Sequence, residues 1–399
     1  MRYNFDKVID RSGTSAEKVE GLKHIWGRTD LIPLWVADMD FATAPFVTDA
    51  IRKRCENEVL GYTGKPDSYY NAIINWVKQR YDLVVAKEMI NFVPGIVPGI
   101  GMAMNCFTQK GDKVMIQPPV YHPFAWVTTR NERTLVTNPL KWENGMYRMD
   151  LDAFRELIKG CKLFILCNPH NPGGVVWTEA ELRAIADICY DEKVLVFSDE
   201  IHADLTLPPH THRPFATVSE KARMNSVTFM SPSKAFNMPG LSASHALIFN
   251  EDLRKRFRIY MDAGELDMGH VFAFLSVEAA YSHGTEWLDQ CLAYIQGNID
   301  FVDDFLKNHA PKIKAIRPEA SYLVWLDCRE LKLSQKDLNE FFVDKAHLAL
   351  NDGEMFGKEG IGFMRLNVAS PRCIIEKGDE TTGGCLSTIY KVIILSIAS

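Results

Sequence analysis

The stretch CKLFILCNPHNPGGVVWTEAELRAIADICYDEKVLVFSDE, residues 161–200, contains a strand, a turn, a helix and a second strand in that order. Its two apolar runs are nearly continuous, which is typical of strands that are buried on both faces of a sheet. Between them, Thr178 precedes a helical pattern and Glu181 follows three residues later, as in a capping box. Strand, helix and strand in succession predict an α/β domain with a mainly parallel sheet.

The same pattern of short apolar runs and helical segments extends on both sides of this stretch. Short apolar runs that end in polar or proline-rich corners recur at 113–119, 226–233 and 245–250. Helical spacing of apolar residues predicts helices at 45–57 and 68–81. After about residue 285 a long helical pattern leads into further apolar runs, which indicates a smaller α+β region. The first 40 residues are predicted to pack against that region.

Composition and charge narrow the class of protein. The chain has 399 residues and a formal net charge of −6, so a clustered basic face for nucleic acid is not expected. No apolar run reaches the length of a membrane-spanning helix, and the amino terminus lacks the apolar core of a signal peptide. Nine cysteines without a C-x-x-C pair predict reduced thiols, and hence a cytoplasmic protein.

Polar residues that follow the apolar runs are the candidates for chemistry, because ligands of open α/β sheets bind beyond the carboxyl ends of the strands. These candidates are Tyr121, Asn168, Asn171, Asp199, His202, Ser231, Ser233 and Lys234. Lys234 is either a solvated charge or a lysine that forms a Schiff base. Asp199 either caps the next segment or keeps a heterocyclic nitrogen protonated, as pyridoxal phosphate (PLP) requires.

Other motifs also leave two interpretations open. Arg365, inside an apolar run, either forms an internal salt bridge or binds a substrate carboxylate. Tyr121 is either a surface aromatic or a ring that stacks on a flat ligand. The segment 94–107 suits phosphate at a helix start, but Met104 breaks the dinucleotide-binding fingerprint. His202, His210, His212 and Asp204 either bind a metal or belong to an ordinary loop, which we favour.

Four motifs in a fixed order connect these residues to a known family. They are NPHNPGG at 168–174, SDEIHAD at 198–204, SPSKAFN at 231–237 and RLNVASPR at 365–372. The series resembles the fold-type I PLP enzymes of the class I/II aminotransferase group. The segments that resemble its cystathionine/cystine β-lyase (C–S lyase) branch are LIPLWVADMDF at 31–41, GYTG at 61–64, PPVYHPF at 118–124 and CNPHNPGG at 167–174.

The resemblance implies a PLP-dependent transferase-like fold with a mainly parallel seven-stranded sheet and flanking helices. Residues 45–285 would form the large PLP-binding domain. Residues 1–44 and 286–399 would form the small α+β domain from both chain ends. The active site would lie between the two domains.

Roles for individual residues follow from the same resemblance. Lys234 would hold PLP through a Schiff base and shuttle the Cα proton of the substrate, and Asp199 would pair with the pyridine nitrogen. Tyr121 would stack on the ring, and His202 and Asn171 would approach its phenolic oxygen.

The resemblance also implies how phosphate and substrate are held. The groups expected at the phosphate are the backbone amides of Ile96 and Val97, the hydroxyls of Ser231 and Ser233, and Tyr62 of a neighbouring subunit. A homodimer is therefore expected. Arg365, aided by Asn171, would bind the α-carboxylate of a small amino-acid substrate.

Two positions depart from the family pattern. Ser242 stands eight residues after Lys234, where many aminotransferases have an arginine at the phosphate. The residues after Arg372 lack the amphipathic helical pattern that is usual at the carboxyl end. No functional role is assigned to that tail.

The expected activity is C–S β-elimination, which releases a thiol, pyruvate and ammonia from cystathionine or related cysteine S-conjugates. The alternatives are transamination, which uses the same lysine, aspartate and arginine, and a regulatory or binding protein that keeps the fold without turnover. The physiological substrate is not determined by the sequence.

Overall fold

The computed structural model describes residues 2–376. Of the atypical tail after Arg372, residues 377–399 lie outside the described residues. The helices are α1 (Glu17–Trp26), α2 (Pro45–Cys55), α3 (Asp67–Tyr81), α4 (Ile96–Phe107), α5 (Pro123–Arg130), α6 (Leu151–Leu157), α7 (Glu179–Asp191), α8 (Glu220–Met224), α9 (Glu251–Ala263), α10 (Val271–His283), α11 (Thr285–His309), α12 (Gln335–Glu340) and α13 (Arg372–Glu376). The strands are β1 (Ile32–Pro33), β2 (Ile90–Val93), β3 (Lys113–Ile116), β4 (Thr134–Thr137), β5 (Lys141–Glu143), β6 (Met146–Arg148), β7 (Cys161–Cys167), β8 (Leu195–Asp199), β9 (Ser226–Met230), β10 (Ser244–Leu247), β11 (Lys314–Ile316), β12 (Leu323–Asp327), β13 (Leu348–Ala349), β14 (Asn351–Asp352) and β15 (Phe363–Asn367).

A seven-stranded sheet in the order β2-β10-β9-β8-β7-β3-β4 forms the centre of the fold. Strands β4, β3, β7, β8 and β9 run parallel, and β10 runs antiparallel to both β9 and β2. The predicted mainly parallel α/β sheet is thus confirmed. Helices α2, α3 and α7 also lie where helices were predicted, and the capping box of Thr178 and Glu181 is present. The short strands β2 and β4 were not predicted.

Burial on both faces explains why the central strands are so uniformly apolar. Along β7, Phe164 and Leu166 belong to one buried cluster, whereas Leu163 and Ile165 belong to a second cluster. Successive side chains of a strand point to opposite faces. An apolar residue at every position therefore supplies a core on each side of the sheet.

A second, four-stranded antiparallel sheet has the order β11-β12-β15-β14. The amino-terminal segment joins this region, because β1 pairs with β13. In addition, the Asn367 side chain donates hydrogen bonds to the carbonyl oxygens of Val36 (2.6 Å) and Asp38 (2.7 Å). These contacts agree with the predicted packing of the amino-terminal residues. They also support a division into residues 45–285 and the two chain ends, which stays a prediction.

All cysteines between residues 2 and 376 are free thiols. Within the same residues, no helix combines the length and the apolar character that a membrane crossing demands.

Candidate active site

A cavity of about 200 Å³ lies at the carboxyl ends of the parallel strands. The sequence-predicted residues that line it are Ile96, Val97, Tyr121, Asn171, Asp199, His202, Ser233 and Lys234. Strand β8 ends at Asp199, and the turn after β9 carries Ser233 and Lys234. The parallel strands therefore bring residues that are distant in sequence to one edge of the sheet.

Lys234 is a half-buried lysine whose amine is held by a backbone carbonyl. Its Nζ donates a hydrogen bond to the carbonyl oxygen of Ala37 at 2.6 Å. The pKa of Lys234 is lowered to about 8: burial is the largest cause and Arg365 adds to it, whereas Asp38 and Asp199 act in the opposite direction. A minor but appreciable fraction of this amine is therefore neutral near physiological pH, and a nucleophile or a general base requires that form.

Asp199 is a buried carboxylate without a cationic partner among residues 2–376. Its side chain is almost completely inaccessible and accepts a hydrogen bond from the Ile201 amide at 3.1 Å. Burial raises the pKa of Asp199 to about 7. A cationic ring nitrogen would supply the missing partner, so this residue fits PLP.

His202, Asn171 and Tyr121 present neutral polar groups to the same cavity. Burial lowers the pKa of His202 to about 3 and raises the pKa of the Tyr121 hydroxyl. The side-chain oxygen of Asn171 accepts a hydrogen bond from Arg365, and its side-chain nitrogen, Nδ2, makes none within the described part of the chain. That nitrogen is therefore available to donate to a ligand oxygen.

Arg365, on β15, is a buried guanidinium without an acidic partner in the described residues. It donates to Asn171 Oδ1 (3.0 Å), Asn351 Oδ1 (2.5 Å) and the Trp35 carbonyl (3.2 Å), and its Nε has no hydrogen-bond partner. Burial lowers the pKa of Arg365 to about 10. The internal salt bridge considered from the sequence is thus not found there, whereas an added carboxylate would neutralise this buried cation.

The wall of the cavity formed by Gly95 and the start of α4 suits phosphate. Gly95 has a φ of 123°, which favours glycine, and the amides of Ile96 and Val97 lie in the first helical turn, where no helical acceptor exists. Ser233 lines the cavity beside them. Ser231 instead donates to the Ala243 carbonyl at 2.6 Å and accepts from the Ser233 amide at 3.1 Å. It therefore supports the turn, and Ser242 takes a place in the lining.

Tyr62 and Asn168 lie away from the cavity within this one chain, whereas Arg365 lies just behind its lining and contacts it through Asn171. Tyr62 is 99% exposed and lines a separate surface depression together with Met268 and His270. Asn168 is fully buried, and its side chain donates to the Arg213 carbonyl at 3.1 Å. Its role is thus to hold the loop that carries Asn171.

The metal interpretation of the histidine cluster finds no support in the geometry. Asp204 accepts hydrogen bonds from Trp76 and Tyr81, and His212 Nε2 lies 2.9 Å from a Glu200 oxygen. Residues 2–376 contain no group of three or more His, Cys, Asp or Glu side chains that could hold a metal ion.

Ala37 and Tyr322 were missed by the reasoning from sequence. Ala37 lines the cavity, and the Tyr322 hydroxyl donates to its carbonyl at 2.9 Å. Tyr322 precedes a strand of the second sheet, whereas the candidate residues follow strands of the large sheet. The sequence pattern therefore does not indicate it. Its position within SYLVWLD is the only sequence signal.

Known proteins resemble this chain over most of its length. The family model for aminotransferase class I and II matches residues 29–372. Cystathionine beta-lyase PatB of Bacillus subtilis (strain 168) is 38% identical over 386 residues, which cover 96% of this chain and 100% of that protein.

Two solved structures show the same likeness in three dimensions. Cystalysin from Treponema denticola, which contains a pyridoxal 5'-phosphate cofactor, has a TM-score of 0.91 at 33% identity and matches 100% of this chain and 99% of its own. The PLP-bound C–S lyase from Staphylococcus hominis has a TM-score of 0.87 at 34% identity and matches 100% of this chain and 97% of its own.

Proposed function

This chain belongs to the aminotransferase class I and II family, and from that premise we propose that it is a PLP-dependent C–S β-lyase. The observation that carries the proposal is a group of three ionisable side chains at one cavity: Lys234 and Asp199 line it, and the buried Arg365 is hydrogen-bonded to Asn171 of the same lining. Lys234, Asp199 and Arg365 each lack an ion-pair partner within residues 2–376. The ring nitrogen of PLP would pair with Asp199, and a substrate carboxylate would pair with Arg365. The aldehyde carbon of PLP would form a Schiff base with Lys234. The likeness to proteins named cystathionine beta-lyase and C–S lyase favours elimination over transamination.

PLP, when bound, withdraws electrons from the α-carbon of an attached amino acid. Asp199 holds a proton at the ring nitrogen and so maintains that withdrawal. Asn171 and His202 orient the ring through its phenolic oxygen, and Tyr121 covers one face. The amides of Ile96 and Val97 bind the phosphate.

Arg365 and Lys234 act on the substrate. Arg365 binds the α-carboxylate and thereby places the Cα–H bond within reach of Lys234 Nζ, which removes the proton. The Cβ–S bond breaks, its electron pair leaves with sulfur, and a proton converts the thiolate to a thiol. Water then converts the remaining three-carbon fragment to pyruvate and ammonia. For cystathionine the balance is one water consumed, with homocysteine, pyruvate and ammonia released.

A pyruvate assay tests this activity. Purified holoenzyme is incubated with cystathionine in the absence of any keto acid, and we expect stoichiometric pyruvate and homocysteine. Lys234→Ala should lose both pyruvate formation and the visible absorbance of the bound cofactor, whereas the surface control Lys53→Ala should keep both. Turnover that depends on an added keto acid, without pyruvate formation, would contradict the lyase and support an aminotransferase.

The proposal includes a cytoplasmic homodimer in which Tyr62 completes the phosphate site of the other subunit. Its support is the exposure of Val59 (72%), Leu60 (58%) and Tyr62 (99%) on one surface segment, since neighbouring apolar residues in water favour association. We expect a dimer by sedimentation. Mixing inactive Tyr62→Ala with inactive Lys234→Ala chains should restore activity by placing one intact site in each mixed dimer. A monomer with full activity would contradict this arrangement.

A further inference from the structure

We propose that Tyr322 is a positioning residue for the base: its hydroxyl and the carbonyl of Ala37 form the docking point for the free amine of Lys234. The role rests on the proposed use of Lys234 in proton transfer. Tyr322 is not among the site residues predicted from the sequence, and its role applies equally to elimination and to transamination.

The docking point consists of two donors on one acceptor. Lys234 Nζ lies 2.6 Å from the Ala37 oxygen and the Tyr322 hydroxyl lies 2.9 Å from the same atom. A carbonyl oxygen has two lone pairs, so these two donors satisfy it fully. Tyr322 is completely buried, and burial raises the pKa of its hydroxyl well above the ordinary value. The hydroxyl therefore stays protonated and acts as a donor.

The Ala37 carbonyl cannot move to follow the amine, because the carbonyls around it are held. Asn367 donates to the carbonyls of Val36 (2.6 Å) and Asp38 (2.7 Å), and Asn237 donates to that of Met39 (2.9 Å). Asn237 lies three residues after Lys234, in the turn that follows β9, and Asn367 is the last residue of β15. The docking point is thus rigid on both sides, as positioned proton transfer requires.

The charged groups that face the amine do not fix its protonation state by themselves. Asp38 and Asp199 favour the ammonium form, and Arg365 favours the neutral amine. The other titratable groups in the cavity lining are neutral: burial lowers the pKa of His202 and raises the pKa of Tyr121 and Cys167. Among the groups around the amine, the Ala37 carbonyl is the one that accepts its hydrogen bond. The Tyr322 hydroxyl withdraws electron density from that carbonyl and so weakens its hold on the ammonium form.

Removal of the hydroxyl alone should therefore slow proton transfer. In Tyr322→Phe the carbonyl accepts from the amine only, so the ammonium form is stabilised and less neutral amine is present. We expect the α-hydrogen of L-alanine to exchange with deuterium oxide about tenfold more slowly, the effect of one hydrogen bond of ordinary strength. The acidic limb of the exchange rate should move to higher pH, and the apparent KM should stay within about twofold.

Exchange on L-alanine separates this role from the proposed lyase activity. The reaction uses the holoenzyme and needs Lys234, but alanine has no leaving group. Tyr69→Phe is the matched control, because Tyr69 is equally buried and its hydroxyl has no hydrogen-bond partner in the described structure. The visible spectrum of each variant confirms that cofactor is bound before rates are compared.

The outcomes are distinct. Slower exchange with a shifted acidic limb in Tyr322→Phe, but not in Tyr69→Phe, supports the docking point even if cystathionine yields no pyruvate. Unchanged exchange, or a uniform decrease in both variants, overturns it. If Tyr322→Phe does not fold, 3-fluorotyrosine at position 322 replaces it: the more acidic hydroxyl should move the limb to lower pH, and no movement overturns the role. Absence of exchange by the unmodified enzyme would overturn both proposals.

Discussion

Asp199→Asn should stabilise the protein without its cofactor, although it removes a group that the proposed reaction needs. Asp199 lies at the end of β8, almost completely inaccessible, and accepts one backbone hydrogen bond. No cation pairs with it among residues 2–376. Burial of an unpaired carboxylate opposes folding, and asparagine at this position carries no charge.

The raised pKa of Asp199 sets the size and the pH range of the effect. In the apoenzyme the pKa of Asp199 is raised by burial from 3.8 to about 7. At 1.36 kcal/mol for each tenfold change in the proton affinity, this difference corresponds to about 4 kcal/mol. Well below pH 3.8 the group is neutral in both folded and unfolded chains, so no penalty applies, and at pH 4 the penalty is still less than about 1 kcal/mol. The penalty grows as the pH rises from 4 to 7 and is complete above that range.

Urea unfolding of the apoenzyme at several pH values measures this penalty. We expect the free energy of unfolding of Asp199→Asn to exceed that of the native chain by up to about 4 kcal/mol at pH 8 and to converge with it near pH 4. Glu200→Gln is the matched control: Glu200 is an equally buried neighbour, but it accepts from Ser198 Oγ and the Phe215 amide (both 2.8 Å) and pairs with His212. That change should destabilise the apoenzyme.

The holoenzyme should reverse the order. With PLP bound, the ring cation pairs with the carboxylate, so Asp199→Asn should lose both cofactor affinity and most of its activity. If the apoenzyme of Asp199→Asn is no more stable than the native apoenzyme at pH 8, or if its advantage is the same at pH 4, then Asp199 is not an unpaired buried carboxylate and the reasoning fails.

Two further outcomes test the substrate site and the junction of the two sheets. Arg365→Lys should raise the KM for cystathionine at least tenfold with a smaller change in kcat, because an ammonium cannot bind a carboxylate bidentately; an unchanged KM in steady-state kinetics would exclude Arg365 from substrate binding. Asn367→Ala should lower the unfolding free energy by about 1–3 kcal/mol, since the carbonyls of Val36 and Asp38 lose their buried donor; a thermal melt of the holoenzyme within 1 °C of the native one would contradict this.

Much of the fold and the site was accessible from local pattern. The apolar runs at 161–167 and 193–198 predict buried parallel strands because a sheet covered on both faces needs apolar residues at every position. Strands β2 (INFV) and β4 (TLVT) were missed because polar residues interrupt their apolar runs. Lys234 and Asp199 were found because they follow strands, whereas Tyr322 precedes one.

The sequence by itself determined the parallel sheet, the edge at which chemistry is placed and the order of motifs that identifies the family. Only the tertiary structure decided which polar groups have a hydrogen-bond or ion-pair partner in the described chain. Ser231 turns to the Ala243 carbonyl, Arg365 meets amides and carbonyls but no acid in the described chain, and Lys234 and Tyr322 share the Ala37 oxygen. The reason is physical: a residue type states which hydrogen bonds and charges are available. Whether they are satisfied depends on neighbours that the fold brings from hundreds of residues away.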